Sequence, residues 1–364
     1  MDIGFSGSYP KEDVVFLLKD ISNISLEMDN KSRENMIQKG IHYSEMLPIE
    51  YEVSNEYMNL YYSQLERVKE ELAYYVAVLS EKIIKKRGQD IVLASLARAG
   101  TPIGILVKRY IKYKYNKDIP HYSISIIRDK GIDENAINYI INKHDTTKIQ
   151  FIDGWTGKGT ISRVLIQSCN EFECKYGIKL DNSLGVIADP AGYSNLYGTR
   201  KDFLIPSACL NSTISGLVSR TVLRDDIIKE NDFHGVKYYS ELHEKDQSNK
   251  YIDTISQYFS IVEKYASEHV CTCEEDIITN DGDKDLGILR EKYKVNDMNF
   301  IKPGLGETLR VLLRRVPDVI LVRDKKDIEI EPILRLAKEK SVKVKVDKLI
   351  AYKACGIIKS VKDV

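Results

Sequence analysis

Three short apolar segments, each followed by a glycine-containing turn and then by a segment with helical periodicity, constrain the fold of this chain most strongly. The apolar segments are residues 91–95, 148–153 and 184–189. Strands that are apolar along their whole length are typical of parallel sheets, because helices cover both faces of such sheets. The alternation therefore predicts an α/β domain built on a parallel sheet. Ligands of such sheets bind at the carboxyl ends of the strands, where these turns would lie.

Other patterned segments extend the prediction to the whole chain. Residues 55–86 predict one long amphipathic helix, and residues 251–267 predict another. After an acidic segment at residues 274–285, the pattern predicts a second, small α/β domain with a helix, a strand, a helix and a strand at residues 307–315, 319–323, 331–340 and 342–346. We predict an N-terminal helical extension, an α/β core, a linker and a C-terminal domain at residues 1–88, 89–270, 271–298 and 299–364.

Charge and composition narrow the class of protein. Lys plus Arg and Asp plus Glu both number 54, but residues 299–364 carry sixteen basic and nine acidic side chains. No apolar run approaches the roughly 18 residues that cross a bilayer, and the first residues lack a secretory pattern. We therefore expect a cytoplasmic protein with no membrane partner. The six cysteines are scattered, which favours reduced thiols over a disulfide framework.

The segment FIDGWTGKGT carries the strongest functional signal. Its glycines let backbone amides turn inward, and the helix that follows offers free amides and a positive dipole end to a phosphate. Hydroxyls and a lysine add donors and charge. The alternative is a glycine-rich turn without a ligand. A nucleoside-triphosphate P-loop is excluded by spacing, because Gly159 follows Lys158 where that motif needs Ser or Thr. The predicted phosphate-binding residues are Asp153, Gly154, Thr156, Gly157, Lys158, Gly159 and Thr160.

A second loop follows the strand at residues 91–95. There the segment ASLARAGTPIG can direct an arginine and several backbone amides at another anion, such as a pyrophosphate. Arginine and glycine are common in turns, so this loop alone is a moderate signal. Two such loops on successive strands make a stronger case. The predicted residues of this second anion site are Arg98, Ala99, Gly100 and Thr101.

The two loops together resemble the pyrophosphate and phosphoribosyl-pyrophosphate loops of type I phosphoribosyltransferases. More closely, the chain resembles the family of tellurite-resistance and stress-response gene clusters, for which the name cysteine protease StiP is also in use. Residues 41–48 (IHYSEMLP) and 210–222 (LNSTISGLVSRTV) carry this resemblance as well. It extends from about Gly40 to the C-terminus. It implies a phosphoribosyltransferase-like core followed by a Pelota-type RNA-binding domain.

The resemblance implies transfer of a phosphoribosyl group from phosphoribosyl pyrophosphate to a nitrogenous, base-like acceptor, with Mg²⁺, in a stress or tellurite-resistance pathway. Residues 156–160 would bind the 5′-phosphate and residues 98–101 the pyrophosphate. Asp153 would hold the ribose or the metal ion, and Arg128 and Lys130 would close over the pyrophosphate. Asp189 and Gly192 would contact the acceptor. Enzymes of this fold often pair, so a homodimer is expected.

One departure from the phosphoribosyltransferase pattern keeps an alternative open. The usual loop begins with two adjacent acids, whereas Gly154 follows Asp153 here. The alternative is a non-catalytic protein that binds a nucleotide or phosphoribosyl pyrophosphate and regulates RNA.

Peptide hydrolysis is the least favoured hypothesis from the residues. Cys169, Cys174 and Cys209 fall in patterns typical of buried structural thiols, whereas a cysteine protease needs a thiolate beside a histidine. His42 is the histidine of most interest, with a packed or capping role as the alternative.

The C-terminal domain resembles the RNA-contacting end of Pelota-type domains. A glycine loop there precedes an arginine-bearing helix and the strand VILVRD, and the excess of positive charge favours nucleic-acid binding. The alternative is a solvated basic face on an accessory domain. The positions that match the RNA-contacting end are Lys302, Gly304, Gly306, Glu307, Arg310 and Arg314.

Overall fold

A computed structural model describes residues 5–272, 277–315, 317–349 and 351–358 of the chain. Its strands are β1 Val15–Phe16, β2 Lys19–Asp20, β3 Glu27–Met28, β4 Leu47–Pro48, β5 Val92–Ala97, β6 His121–Ile127, β7 Gly131–Ile132, β8 Ile149–Trp155, β9 Leu184–Ala188, β10 Leu196–Thr199, β11 Gly235–Val236, β12 Ile301–Pro303, β13 Pro317–Val322, β14 Lys343–Val346 and β15 Ala354–Ile358. The helices are α1 Asn30–Gln38, α2 Asn55–Arg87, α3 Gly100–Tyr115, α4 Glu134–Ile141, α5 Thr160–Tyr176, α6 Ser248–Ser256, α7 Phe259–Thr272, α8 Gly282–Lys292, α9 Leu305–Arg314 and α10 Glu331–Glu339.

A mainly parallel sheet forms the centre of the larger domain. Its strand order is β1-β6-β5-β8-β9-β10, and β7 pairs antiparallel with β6. The three apolar segments of the sequence are the neighbouring strands β5, β8 and β9, and Ser95 lies opposite Ile152 on the adjacent strand. Every residue of β6 and β9 is buried, because helices pack on both faces of the sheet. The predicted α/β fold with a parallel sheet is confirmed.

The long helix α2 also follows the prediction. Its residues Leu72, Val76 and Leu79 are fully buried, and the helix packs against α3, α7 and the sheet. The second predicted helix, at residues 251–267, is instead two helices, α6 and α7, separated at Gln257 and Tyr258. α6 packs against both α2 and α3, whereas α7 packs mainly against α2, and the break lets each helix bury its own apolar face.

The N-terminal region differs from the predicted helical extension. β1 pairs parallel with β6 at the edge of the central sheet, where Val15 lies opposite Tyr122. Arg109 of α3 also connects this region to the core domain, because its guanidinium donates two hydrogen bonds to the carboxylate of Asp13. Strands of two residues carry too little periodicity to be predicted from the sequence alone.

The C-terminal domain contains the four predicted elements and two further strands. Its sheet has the order β12-β15-β13-β14, with β13 and β14 parallel and β15 antiparallel to both β12 and β13. α9 and α10 contact each other and lie against this sheet. α8 lies within the predicted linker and packs against β12. No helix among the described residues is long and apolar enough to cross a membrane.

Candidate functional site

The glycine-rich loop joins the carboxyl end of β8 to the first turn of α5. Gly159 precedes the helix with a φ of 71°, and a Cβ atom there would lie 2.7 Å from the Tyr193 ring. Only glycine satisfies both conditions without strain. The first amides of an α helix have no partner within the helix, and Thr160, Ile161 and Ser162 line a cavity. The loop therefore presents amide donors and a positive helix end to that cavity.

The C-terminal domain packs directly onto this loop. The Tyr352 hydroxyl donates to the backbone carbonyl of Gly157 over 3.0 Å, and Lys158 Nζ donates to the carbonyl of Met298 over 2.5 Å. A Cβ on Gly306 would lie 2.7 Å from the Trp155 ring. Residues predicted to contact RNA and residues predicted to contact phosphate thus meet in one place.

Asp202 anchors the start of α9 to the core domain. Its carboxylate accepts hydrogen bonds from the backbone amides of Leu305, over 3.0 Å, and Lys353, over 2.7 Å. Burial raises the pKa of Asp202 to about 6 despite these two donors. A buried carboxylate that holds two amides of the other domain orients the C-terminal domain on the cleft.

The cleft between the two domains is a cavity of about 540 Å³ with strongly basic walls. Its acidic side chains are Asp153, Asp297 and Glu307. The basic side chains that line it come from both domains and from the N-terminal region, and they are Arg33, Arg128, Lys158, Arg220, Lys302, Arg310, Arg314 and Arg315. Among the described residues, eight cations against three acids line this partly enclosed cavity, and this balance favours an anionic ligand.

The titration behaviour of the cleft residues reflects this excess of positive charge. Burial, together with repulsion from Lys302 and Arg128, lowers the pKa of Lys158 to about 7. Burial also lowers the pKa of Lys302 to about 8. Asp153 moves the other way, because burial raises its pKa to about 7. The acidic side chains among the described lining residues are too few to keep the pKa values of Lys158 and Lys302 at their ordinary level.

Of the residues predicted in these loops, Ala99, Asp153 and residues 156–160 line the cleft. The others do not line it, and they are Arg98, Gly100, Thr101, Lys130 and Gly154. The guanidinium of Arg98 donates to the backbone carbonyl of Val218 over 2.6 Å, and it lies 3.5 Å from the carboxylate of Glu50. Lys130 is exposed outside the cavity lining. Arg128 does line the cleft, and it donates to Asn299 of the C-terminal domain over 3.1 Å.

Asp189 and Gly192, which were predicted to contact the acceptor, make hydrogen bonds to other parts of the protein instead. The fully buried carboxylate of Asp189 accepts from the amides of Tyr193 and Ser194, from the Thr156 hydroxyl and from Arg200. The Gly192 carbonyl accepts from the amides of residues 279 and 280. Neither residue lines the cleft.

Sequence reasoning missed the arginines that other segments contribute to the cleft. Arg33, Arg220 and Arg315 line its far wall beside Tyr43. Arg220 and Tyr43 lie in the two segments that carry the family resemblance, which was the signal available for them. His42 also lines the cleft, and its imidazole contacts the carbonyl of Arg128 over 3.1 Å.

The five thiols in the described part of the chain differ in exposure. Cys169, Cys209 and Cys355 are buried, and burial raises the pKa of each thiol to about 12. Cys174 and Cys271 are exposed on α5 and α7. No cysteine is among the described residues that line the cleft, and Cys273 falls outside the described part of the chain.

The fold and the cleft define a two-domain protein in which a parallel α/β core and a small basic domain share one anion-binding cavity. Residues 7–256 match the family described as tellurite-like stress resistance cysteine protease StiP, and residues 280–360 match the Pelota RNA-binding domain. The cysteine protease StiP of Acinetobacter baylyi is 35% identical over 367 residues, which cover 98% of this chain and 94% of the relative. The chain belongs to the tellurite-like stress resistance cysteine protease StiP family.

These comparisons confirm the resemblance to the stress-resistance family and to Pelota domains, and they correct the predicted activity. The prediction of a phosphoribosyltransferase acting on phosphoribosyl pyrophosphate and a base-like acceptor is wrong, because the family and the Acinetobacter relative are both described as a cysteine protease. Sequence reasoning overweighted the glycine-rich loops, which occur with many activities on α/β folds. The roles given to Arg98, Lys130, Asp189 and Gly192 depended on that reaction.

Proposed function

We propose that this chain serves tellurite-like stress resistance as an RNA-binding protein whose cleft holds RNA phosphate groups between the two domains. One observation carries the proposal: the glycine-rich loop of the core and the basic face of the Pelota domain line the same cavity. A phosphate bound there would meet the first amides of α5 together with Lys158, Lys302 and Arg310. The match of residues 280–360 to a Pelota RNA-binding domain makes RNA the favoured anion.

Replacement of Lys158 by methionine tests this proposal. We expect the affinity for a fluorescein-labelled single-stranded RNA dodecamer to fall by at least about tenfold at low salt, because a charged hydrogen bond contributes roughly 1.5–3 kcal/mol. Fluorescence anisotropy at several salt concentrations measures both the affinity and its salt slope, which falls by about 0.7 for each lost phosphate contact.

The matched control for this test is Lys148→Met. Lys148 lies just before the same strand at its opposite end, where it pairs with the exposed Asp90. Equal RNA affinities for the two variants would contradict a phosphate site at the loop.

The pH dependence of RNA binding follows from the titration of the cleft. Below about pH 7, Lys158 is protonated and Asp153 is neutral, and above that pH Lys158 loses its charge while Asp153 gains one. Phosphodiesters do not titrate in this range. RNA with hydroxyl ends should therefore bind more weakly as pH rises from 6 to 8.5, by about tenfold or more. Anisotropy in buffers of constant ionic strength measures this, and Asp153→Asn should reduce the slope. Affinity that rises with pH would contradict the assignment.

Magnesium and the architecture of the core stay proposals. Asp153 alone does not form a resident Mg²⁺ site, and the described residues contain no group of three or more acidic, histidine or cysteine side chains that could hold a metal. We propose that any Mg²⁺ in the cleft enters bound to the phosphate groups of the ligand. The adjacent glycine loops on β5 and β8 support a phosphoribosyltransferase-like fold for the core, without its reaction. The predicted homodimer is likewise untested.

A second candidate function is peptide hydrolysis by a cysteine, since the family and the Acinetobacter relative carry that description. An accessible thiol is required for this chemistry, and Cys174 and Cys271 are the exposed ones in the described part of the chain. Cys174 lies in a shallow groove that also contains Arg163 and Lys175.

Alkylation with iodoacetamide followed by peptide mapping should label Cys174 and Cys271 in the folded protein and leave Cys169, Cys209 and Cys355 protected. A casein digestion assay on single Cys→Ser variants at positions 174, 271 and 273 then tests the activity itself. Loss of digestion in one of the three identifies the nucleophile. Digestion that survives in all three, or that wild type lacks, would contradict a nucleophile among these thiols.

A further inference from the structure

Three arginines from distant parts of the chain form a cluster on the cleft wall formed by α1 and the end of α9. Arg33 belongs to α1, Arg220 to the segment that follows residues 212–214, and Arg315 to the end of α9. We call Arg33, Arg220 and Arg315 the arginine cluster. All three line the cleft, and Arg33 is only 2% exposed. Packing alone does not explain why three charged side chains converge here, since buried charges require partners.

The partners of the arginine cluster are too few for its charge. Arg315 makes two hydrogen bonds to the carboxylate of Glu34, over 2.7 and 2.9 Å. Arg220 donates through one amino group to the backbone carbonyls of residues 43 and 46. Arg33 makes one long hydrogen bond of 3.4 Å to Asn30 of its own helix. The Nε atoms of Arg33 and Arg220 are buried without a hydrogen-bond partner.

The three guanidinium groups therefore repel one another in a partly dehydrated wall. Burial, together with the charges of Arg33 and Arg315, lowers the pKa of Arg220 to about 9. Burial and the charge of Arg315 lower the pKa of Arg33 to about 10. Among the described residues, Glu34 is the one acid that forms an ion pair with a member of the cluster, so the wall holds more positive than negative charge. A bound anion would neutralise this excess of positive charge.

We infer that the arginine cluster is a second phosphate subsite, which holds one phosphate group of an RNA segment while the glycine-rich loop holds another. This inference rests on the proposed function, because both subsites open into the same cavity. A volume of about 540 Å³ is that of a small-ligand pocket. It admits a short single-stranded segment and excludes a duplex. Tyr43 supports the subsite, since the guanidinium groups of Arg128 and Arg220 lie 5.2 and 5.0 Å from its ring centre.

Calorimetric titration with two dinucleotides tests the second subsite. The probes are ApA, which has one phosphate, and its 5′-phosphorylated form pApA, which has two. We expect wild type to bind pApA at least tenfold more tightly than ApA, and Arg33→Gln to remove most of this difference. Arg33 suits the test because, within the described residues, its side chain donates a single hydrogen bond, the long one to Asn30. Lys31→Gln, on the exposed face of the same helix, is the matched control.

Each outcome bears on the inference. Arg33→Gln that binds pApA as tightly as Lys31→Gln, while Lys158→Met still weakens binding, would overturn the second subsite and leave the first intact. If wild type binds neither of the two dinucleotides and does not bind the RNA dodecamer, the proposed function itself is overturned. Thermal unfolding without ligand distinguishes a folding defect, and we expect Arg33→Gln to unfold no lower than wild type. Arg220→Gln repeats the test from another segment of the wall.

Discussion

Replacement of Asp189 by alanine should lower the free energy of unfolding by about 3–5 kcal/mol, the range observed when one partner of a buried charge pair is removed. The carboxylate is fully buried and serves two backbone amides, a threonine hydroxyl and Arg200. Its removal leaves these donors without an acceptor and Arg200 without its counter-charge. The loop after β9 would lose its conformation, because the Asp189 carboxylate binds the amides of Tyr193 and Ser194 in this loop and the hydroxyl of Thr156 in the neighbouring glycine-rich loop.

Urea denaturation followed by circular dichroism measures this loss. Asp181→Ala is the matched control, since Asp181 precedes the same strand, lies partly exposed and pairs with Arg87 at 3.0 Å. Its removal should change stability by less than about 1 kcal/mol. Similar stabilities for the two variants, together with a selective loss of ligand binding in Asp189→Ala, would contradict the structural role and restore a ligand role for Asp189.

Replacement of Asp202 by alanine should have the second largest effect, a loss of about 3 kcal/mol. It leaves the buried amide of Leu305 and the partly buried amide of Lys353 unpaired, and each unsatisfied buried donor costs roughly 1–3 kcal/mol. Relief of a buried carboxylate whose pKa is raised to about 6 offsets part of this loss at neutral pH. The two domains would also lose the contact that places α9 against the glycine-rich loop.

Two measurements together separate these effects. Limited proteolysis between the domains should accelerate in Asp202→Ala, and its RNA affinity should fall because the cleft is no longer held together. Asp202→Asn keeps one oxygen acceptor and should restore part of both properties. An alanine variant with wild-type proteolysis and wild-type RNA affinity would show that Asp202 does not orient the C-terminal domain.

The local architecture could be predicted because it depends on neighbouring residues. β5, β8 and β9 are apolar along their length, and α2 keeps one apolar face over many turns, so periodicity alone places them. The glycine-rich loop could also be predicted, because its geometry requires glycine and so leaves a mark in the sequence. At Gly159 the left-handed backbone and the nearby Tyr193 ring exclude other residue types. β1 in the N-terminal region was missed because two-residue strands show no period.

The assembly of the site depends on contacts between segments that are far apart in sequence. Trp155 contacts Gly306 and Lys158 contacts Met298, although each pair is separated by about 140 to 150 residues of the chain. Arg98 and Lys130 belong to the expected loops but do not line the cleft, because Arg98 pairs near Glu50 and Lys130 faces solvent. No local pattern reports the direction in which a turn presents its side chain.

By itself, the sequence determined the parallel α/β core, the basic C-terminal domain and the glycine-rich loop, because strand burial, helix periodicity and backbone freedom are local properties. It also carried the resemblance to the family, although the activity inferred from the loops was wrong. Only the tertiary structure decided that Asp189 is a buried anchor and that the two domains share one cleft. It alone brought Arg33, Arg220 and Arg315 together, since the charge balance of a cavity depends on segments that meet only when the chain folds.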